Sequence, residues 1–182
     1  MEHINRREFL GKCGRAALAC AGCGMLPASF FPRPAQALAL EKGYIQKKLS
    51  PYYTALAGGT IRCELCPRHC QVAPGDRGLC DVRENIDGKY YSLVYANPCA
   101  IHIDPIEKKP FFHVLPGSDS FSIATAGCNF DCRFCQNWSI SQARPEDTLN
   151  YHLSPSDAVS LALQNDCVSI ASTYVEPTIF ME

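Results

Sequence analysis

The sequence predicts an α/β fold built on one strand–helix–strand unit that follows a cysteine-rich segment. Three observations carry this expectation. Phe121-Ser-Ile-Ala-Thr-Ala126 is a short apolar and β-branched run broken by Gly127, as in a buried strand that ends in a loop. Ser154-Pro155-Ser156-Asp157 has the makings of a helix start, with Ser154 as N-cap, Pro155 at N1 and Asp157 at N3, after which Ala158, Leu161 and Ala162 share a face. Cys167-Val-Ser-Ile-Ala171 then reads as a second strand. Such units build parallel sheets, where ligands bind beyond the carboxyl ends of the strands.

In chain order, residues 1–37 read as an export signal. Asn5-Arg-Arg-Glu-Phe-Leu10 is a twin-arginine element, an apolar stretch runs from Ala16 to Phe31, and Ala35-Gln36-Ala37 resembles a cleavage site. Gly22, Gly24 and Pro27 make the apolar part a poor permanent membrane helix. A basic, unstructured extension is the plainer alternative. Residues 38–62 read as a linker, 63–117 as a cysteine-rich metal-binding segment with connecting strands, and 118–182 as the α/β part.

Cys63, Cys66, Cys70 and Cys80 form the pattern C-x2-C-x3-C-x9-C, with Pro67, Pro74, Gly75 and Gly78 supplying turns. Four thiolates suit tetrahedral zinc or a closed iron–sulfur cluster equally well, and neither leaves an open coordination position. The group therefore reads as structural or electron-relaying, against the alternatives of unligated thiols or two disulfides. Tyr90, Tyr91, Leu93, Val94 and Tyr95 read as a strand ended by Asn97-Pro98. From Asp104 to Pro110, prolines at both ends suggest an ordered loop in which Glu107, Lys108 and Lys109 form a solvated charge run. His102 and His113 flank apolar residues and read as structural.

Cys128, Cys132 and Cys135 follow the first predicted strand at C-x3-C-x2-C spacing. Three thiolates on one short loop can ligate three irons of a [4Fe–4S] cluster, and the run supplies no fourth ligand. One iron is then open to a substrate or cofactor, and an open position marks a reactive metal site. The same residues also suit a zinc site, a closed cluster with Cys99 or Cys167 as fourth ligand, or a disulfide framework. Of twelve cysteines, Cys13, Cys20 and Cys23 lie in the signal. The other nine are an odd number and cannot all pair within one chain.

The loop, with Phe134 inside its C-x3-C-x-Phe-C run, resembles the cluster loop of the radical S-adenosylmethionine (SAM) enzymes. The resemblance implies a cluster whose open iron is chelated by SAM, cleavage of SAM to methionine and a 5′-deoxyadenosyl radical, and hydrogen abstraction from a substrate. It also implies a partial (β/α)6 barrel. In that superfamily a Gly-Gly-Glu-Pro-like segment at the end of the second strand contacts SAM's amino group. Here Thr173-Tyr174-Val175-Glu176-Pro177 stands in its place, so the carboxylate role falls to Glu176 while the paired glycines are missing.

Four segments in order narrow the likeness: Cys63-Glu-Leu-Cys-Pro-Arg-His-Cys70, Asp104-Pro-Ile-Glu-Lys-Lys-Pro110, Gly127 to Asn137, and Tyr174-Val-Glu-Pro-Thr178. Together they look like the AmmeMemoRadiSam-system radical SAM enzymes, which are related to the pyruvate formate-lyase activating enzymes. The partners so implied are an unidentified substrate, small molecule or protein, a low-potential electron donor, and the two associated proteins of that system. A complete barrel needs several more βα units of roughly 30 residues each, so the chain is expected to be a truncated, amino-terminal portion.

Net charge is −1 and the lysines and arginines are scattered, which leaves no basic patch for nucleic acid. Two function classes stand. One is a radical SAM enzyme or a portion of one. The other is an exported iron–sulfur or zinc protein, structural or electron-transferring, with both cysteine groups closed and no SAM. The signal points to the periplasm or a membrane surface, whereas SAM chemistry points to the cytoplasm.

Overall fold

The computed structural model describes residues 38–182. The twin-arginine signal expected over 1–37 lies outside the described residues. Short strands dominate: β1 (Leu40–Lys42), β2 (Lys48–Leu49), β3 (Tyr53–Ala55), β4 (Ile61–Cys63), β5 (Gln71–Val72), β6 (Arg83–Ile86), β7 (Lys89–Ser92), β8 (Ala100–Pro105), β9 (Asp119–Ala124), β10 (Leu149–Tyr151) and β11 (Ser169–Ser172). Two α-helices accompany them among the described residues, α1 (Trp138–Ser141) and α2 (Pro155–Gln164). The stretch expected to be a linker thus carries β1 to β3 and enters β4.

The strands form four small sheets, ordered β3-β4-β5, β2-β7-β6, β11-β9-β8 and β1-β10. Only β9 and β11 pair in parallel, with Ser169 opposite Ser120 and Ser172 opposite Ile123. Every other strand pair is antiparallel. The expected beginning of a partial (β/α)6 barrel is therefore overturned. Helix-length crossovers are what make neighbouring strands parallel, and only the segment through α2 is one. Of the antiparallel neighbours, β6 and β7 are joined by the tight turn Asp87-Gly88, where both residues have positive φ, and such turns allow only antiparallel pairing. On its far side β9 carries β8 antiparallel, Ala100 opposite Ala124 and Pro105 opposite Asp119, so no parallel run is propagated there.

The strand–helix–strand unit itself forms as the sequence predicts. Ser154 is the N-cap of α2, its side chain accepting from the Asp157 amide at 3.2 Å, with Pro155 in the first turn. The helix lays buried Ala158 and Ala162 on Phe121 of β9, with Leu153 and Cys167 completing this cluster. A second cluster lies at the carboxyl end of β9, joining Ala124 to Cys80, Val82, Val94, Val175 and Ile179. A third holds Ile61, Cys63, Val72 and Tyr90 under the cysteine-rich segment.

Candidate metal and cofactor site

Parallel pairing brings two sequence-distant segments to one end of the sheet. The chain leaves β9 at Ala124 and enters the loop of Cys128, Cys132 and Cys135, while it leaves β11 at Ser172 and enters Thr173 to Glu176. Asn137 ties the two segments together, donating from Nδ2 to the Tyr174 carbonyl at 2.9 Å. Tyr174 has a φ of 67°, a left-handed conformation unusual for a bulky residue, which this bond helps to hold.

Cys128, Cys132 and Cys135 are half-buried and unpaired. The loop is anchored at its base, where the Gly127 amide donates to Ile140 at 2.8 Å, and at its tip, where Gln142 donates to Phe130 at 3.0 Å. Cys135 Sγ lies 3.5 Å from the Ser141 hydroxyl. Among the described residues no three His, Cys, Asp or Glu side chains gather closely enough to hold a single metal ion. Phe134 is 89% exposed. Glu176 is the N-cap of a short 3-10 turn, Pro177–Phe180, its Oε1 accepting from the Thr178 hydroxyl at 2.6 Å. Its Oε2 takes no hydrogen bond among the described residues.

Cys63, Cys66, Cys70 and Cys80 all line one small cavity of about 10 Å³. Asn129, from the other cysteine loop, lines it too, and its Oδ1 is buried without a hydrogen-bond partner. Gly78 makes this crowding possible, since a Cβ there would stand 2.8 Å from the Tyr90 hydroxyl. Burial pushes the Cys80 thiol up to about 11, against the pull of the Val82 amide and Arg83. Burial likewise raises Cys63, opposed by the Leu65 backbone and the Tyr90 hydroxyl. As they stand the four thiols do not gather closely enough for a single ion, so a four-thiolate centre here would have to draw the sulfurs inward and displace their protons. Cys167, a possible fourth ligand by spacing, belongs instead to the core beneath α2.

Lys109 departs from the solvated charge run expected of Glu107, Lys108 and Lys109, whereas Lys108 is exposed. Asp104 and Lys109 side chains are each 7% exposed, and Lys109 Nζ donates to Asp104 Oδ2 at 2.6 Å. Lys108 Nζ donates to Oδ1 at 2.7 Å, and the Tyr174 hydroxyl donates to Oδ2. Burial alone would raise the Asp104 carboxyl, but the bonds from Lys108, Lys109 and Tyr174 outweigh it and hold the group far below the usual carboxylate range. Burial, then the bond to Asp104, pushes the Tyr174 phenol up to about 12. His102 stands edge-on to the Tyr174 ring. Sequence reading missed this network because its members lie up to 70 positions apart.

No family model and no solved structure matches the chain. It is 44% identical over 131 residues to the uncharacterized protein MJ0808 of Methanocaldococcus jannaschii, covering 72% of this chain and 39% of that protein. It is 33% identical over 121 residues to the uncharacterized protein MJ0674 of the same organism, covering 65% and 31% respectively. The matched region thus spans well under half the length of either curated relative.

Proposed function

We propose that this chain carries the cluster- and SAM-binding part of a radical SAM enzyme, with Cys128, Cys132 and Cys135 as ligands of a [4Fe–4S] cluster. The observation that carries the reading is the parallel β9–β11 pair, which sets the three-cysteine loop and the Tyr174–Glu176 segment side by side and bridges them through Asn137. Bound together and reduced, cluster and SAM supply a 5′-deoxyadenosyl radical that takes a hydrogen atom from a substrate. The chain's own part is positioning. Glu176 offers Oε2 to the ammonium of SAM's methionine portion, a charge-assisted bond, while the Thr178 hydroxyl fixes the carboxylate. Phe134 is free to cover the bound group. Cys63, Cys66, Cys70 and Cys80 hold a second, closed centre of zinc or iron–sulfur. The substrate, a low-potential electron donor and the two associated proteins of the AmmeMemoRadiSam system complete the proposal.

The second reading, a metal or electron-transfer protein without SAM, shares the small four-cysteine cavity with the first. The two readings part in one experiment. Anaerobically reconstituted, reduced protein should show a [4Fe–4S] EPR signal that changes on adding SAM. An unchanged spectrum from loaded protein overturns the radical SAM reading and leaves the closed-centre one. Cys132→Ser should remove this cluster and spare metal at the Cys63 group.

A further inference from the structure

Asp104, Lys108 and Lys109 place two ammonium groups on one carboxylate, and the excess positive charge has a direction. Lys109 is enclosed, its Nζ on Asp104 and 4.9 Å from the centre of the Tyr174 ring. Its charge is spent inside the protein. Lys108 is 58% exposed and lines an open cavity of about 320 Å³ beside the cysteine loop. Gln136 and Asn137, directly after Cys135, line the same cavity with Ser139, His102 and the Tyr174 side. No carboxylate lines it, and its polar wall is made of groups able to donate hydrogen bonds. Asp104 cannot neutralise Lys108 fully, because it already accepts from Lys109 and Tyr174. The cavity is of a size that takes small molecules.

We propose that this cavity is the substrate site of the enzyme reading above, and that it takes a small molecule bearing an oxyanion, a carboxylate or phosphate, bound at Lys108 with Gln136, Asn137 and Ser139 as neutral donors. The inference rests on the radical SAM reading for the word substrate, but the anion site itself is tested without turnover. Such a ligand lies against the loop that holds the cluster, where a substrate must be for hydrogen abstraction. Lys109 is a positioning residue, which fixes Asp104 so that Lys108 is held at the cavity edge.

The experiment is calorimetric titration of the full chain with inorganic phosphate, with acetate and with L-methionine, using wild type, Lys108→Met and Lys108→Arg, each checked for folding by circular dichroism. Saturable binding of phosphate or acetate is expected, weakened about tenfold or more by Lys108→Met, the cost of one charge-assisted bond, and largely kept by Lys108→Arg. Whichever anion binds tighter identifies the oxyanion. Absence of saturable binding, or equal affinity in folded Lys108→Met, overturns the proposal. If L-methionine binds in a Lys108-dependent way and competes with the anion, Lys108 serves SAM's carboxylate and the substrate assignment is wrong. The EPR response to SAM in Lys108→Met separates the two readings: retained with anion binding lost, it supports both, whereas no response in wild type with anion binding intact sinks only the enzyme reading and the word substrate with it.

Discussion

Gly127 has a φ of 81°, and a Cβ built on it would stand 2.3 Å from the Cys80 carbonyl oxygen and 2.4 Å from Val82 Cγ1. Both atoms belong to a packed core, so neither can move aside cheaply. Gly127→Ala should therefore cost about 3 kcal/mol or more from strain and overpacking, seen as a lower urea midpoint. Asp104 gives a second prediction. Asp104→Asn strands the enclosed Lys109 ammonium, which should cost about 3 kcal/mol. Because the native carboxyl titrates below its unfolded value, its stabilisation is whole above about pH 4 and is lost as pH falls below that. Wild-type stability should decline with acid in this window, and the decline should be shallower in Asp104→Asn. Tyr174 acts at the other end of the scale: its raised phenol stabilises below pH 10, and that contribution is lost as pH rises from about 10 to about 12. Tyr174→Phe should flatten the alkaline arm of the same pH–stability profile.

Among elements, α2 is where local chemistry decides most. Ser154→Ala removes the acceptor for the Asp157 amide and should cost about 1 kcal/mol, measured as a lower thermal midpoint, while Ser154→Asp should recover most of it. This cap was legible because it is written within four consecutive residues. The strand of β9 was legible too, displaced by two positions, since Phe121, Ile123 and Ala124 give it an apolar and β-branched run that Gly127 closes. The start of β11 was misplaced because the Cys167 amide still donates to Ala162 and closes the helix. What the sequence hid is long-range. β1, β2 and β3 are two or three residues long, too short to show alternation, and β1 forms only against β10, more than 100 residues away. The barrel expectation failed at β8, whose antiparallel place beside β9 is fixed by register. Lys109 read as part of a solvated run with Glu107 and Lys108 because charge is normally exposed, whereas it is enclosed on Asp104, which Tyr174 reaches from past β11. The cysteine groups were legible as spacing, but their meeting was not.

At the scale of the described molecule, that meeting is the consequence with most reach. Gly127 is seated on the Cys80 carbonyl, Asn129 lines the cavity of the four cysteines, and Arg68, between Cys66 and Cys70, donates from Nε to the Asn129 carbonyl at 3.2 Å. The base of the three-cysteine loop is therefore built on the segment that the other cysteines enclose. A metal at Cys63, Cys66, Cys70 and Cys80 would stabilise this platform, since a bound ion that is absent from the unfolded chain adds its binding energy to folding. Cys132 lies further along the loop, next to exposed Asp131 and Arg133. The coupling should then run one way. Cys66→Ser should lower metal at its own group and also weaken retention of iron and sulfide at the three-cysteine loop, whereas Cys132→Ser should empty only its own loop. Metal and acid-labile sulfide analysis of both variants after gel filtration, normalised to folded protein, distinguishes this from independence. Full cluster retention in Cys66→Ser would show that the contact at Gly127 transmits nothing, and loss of both metals in Cys132→Ser would place the support on the opposite side.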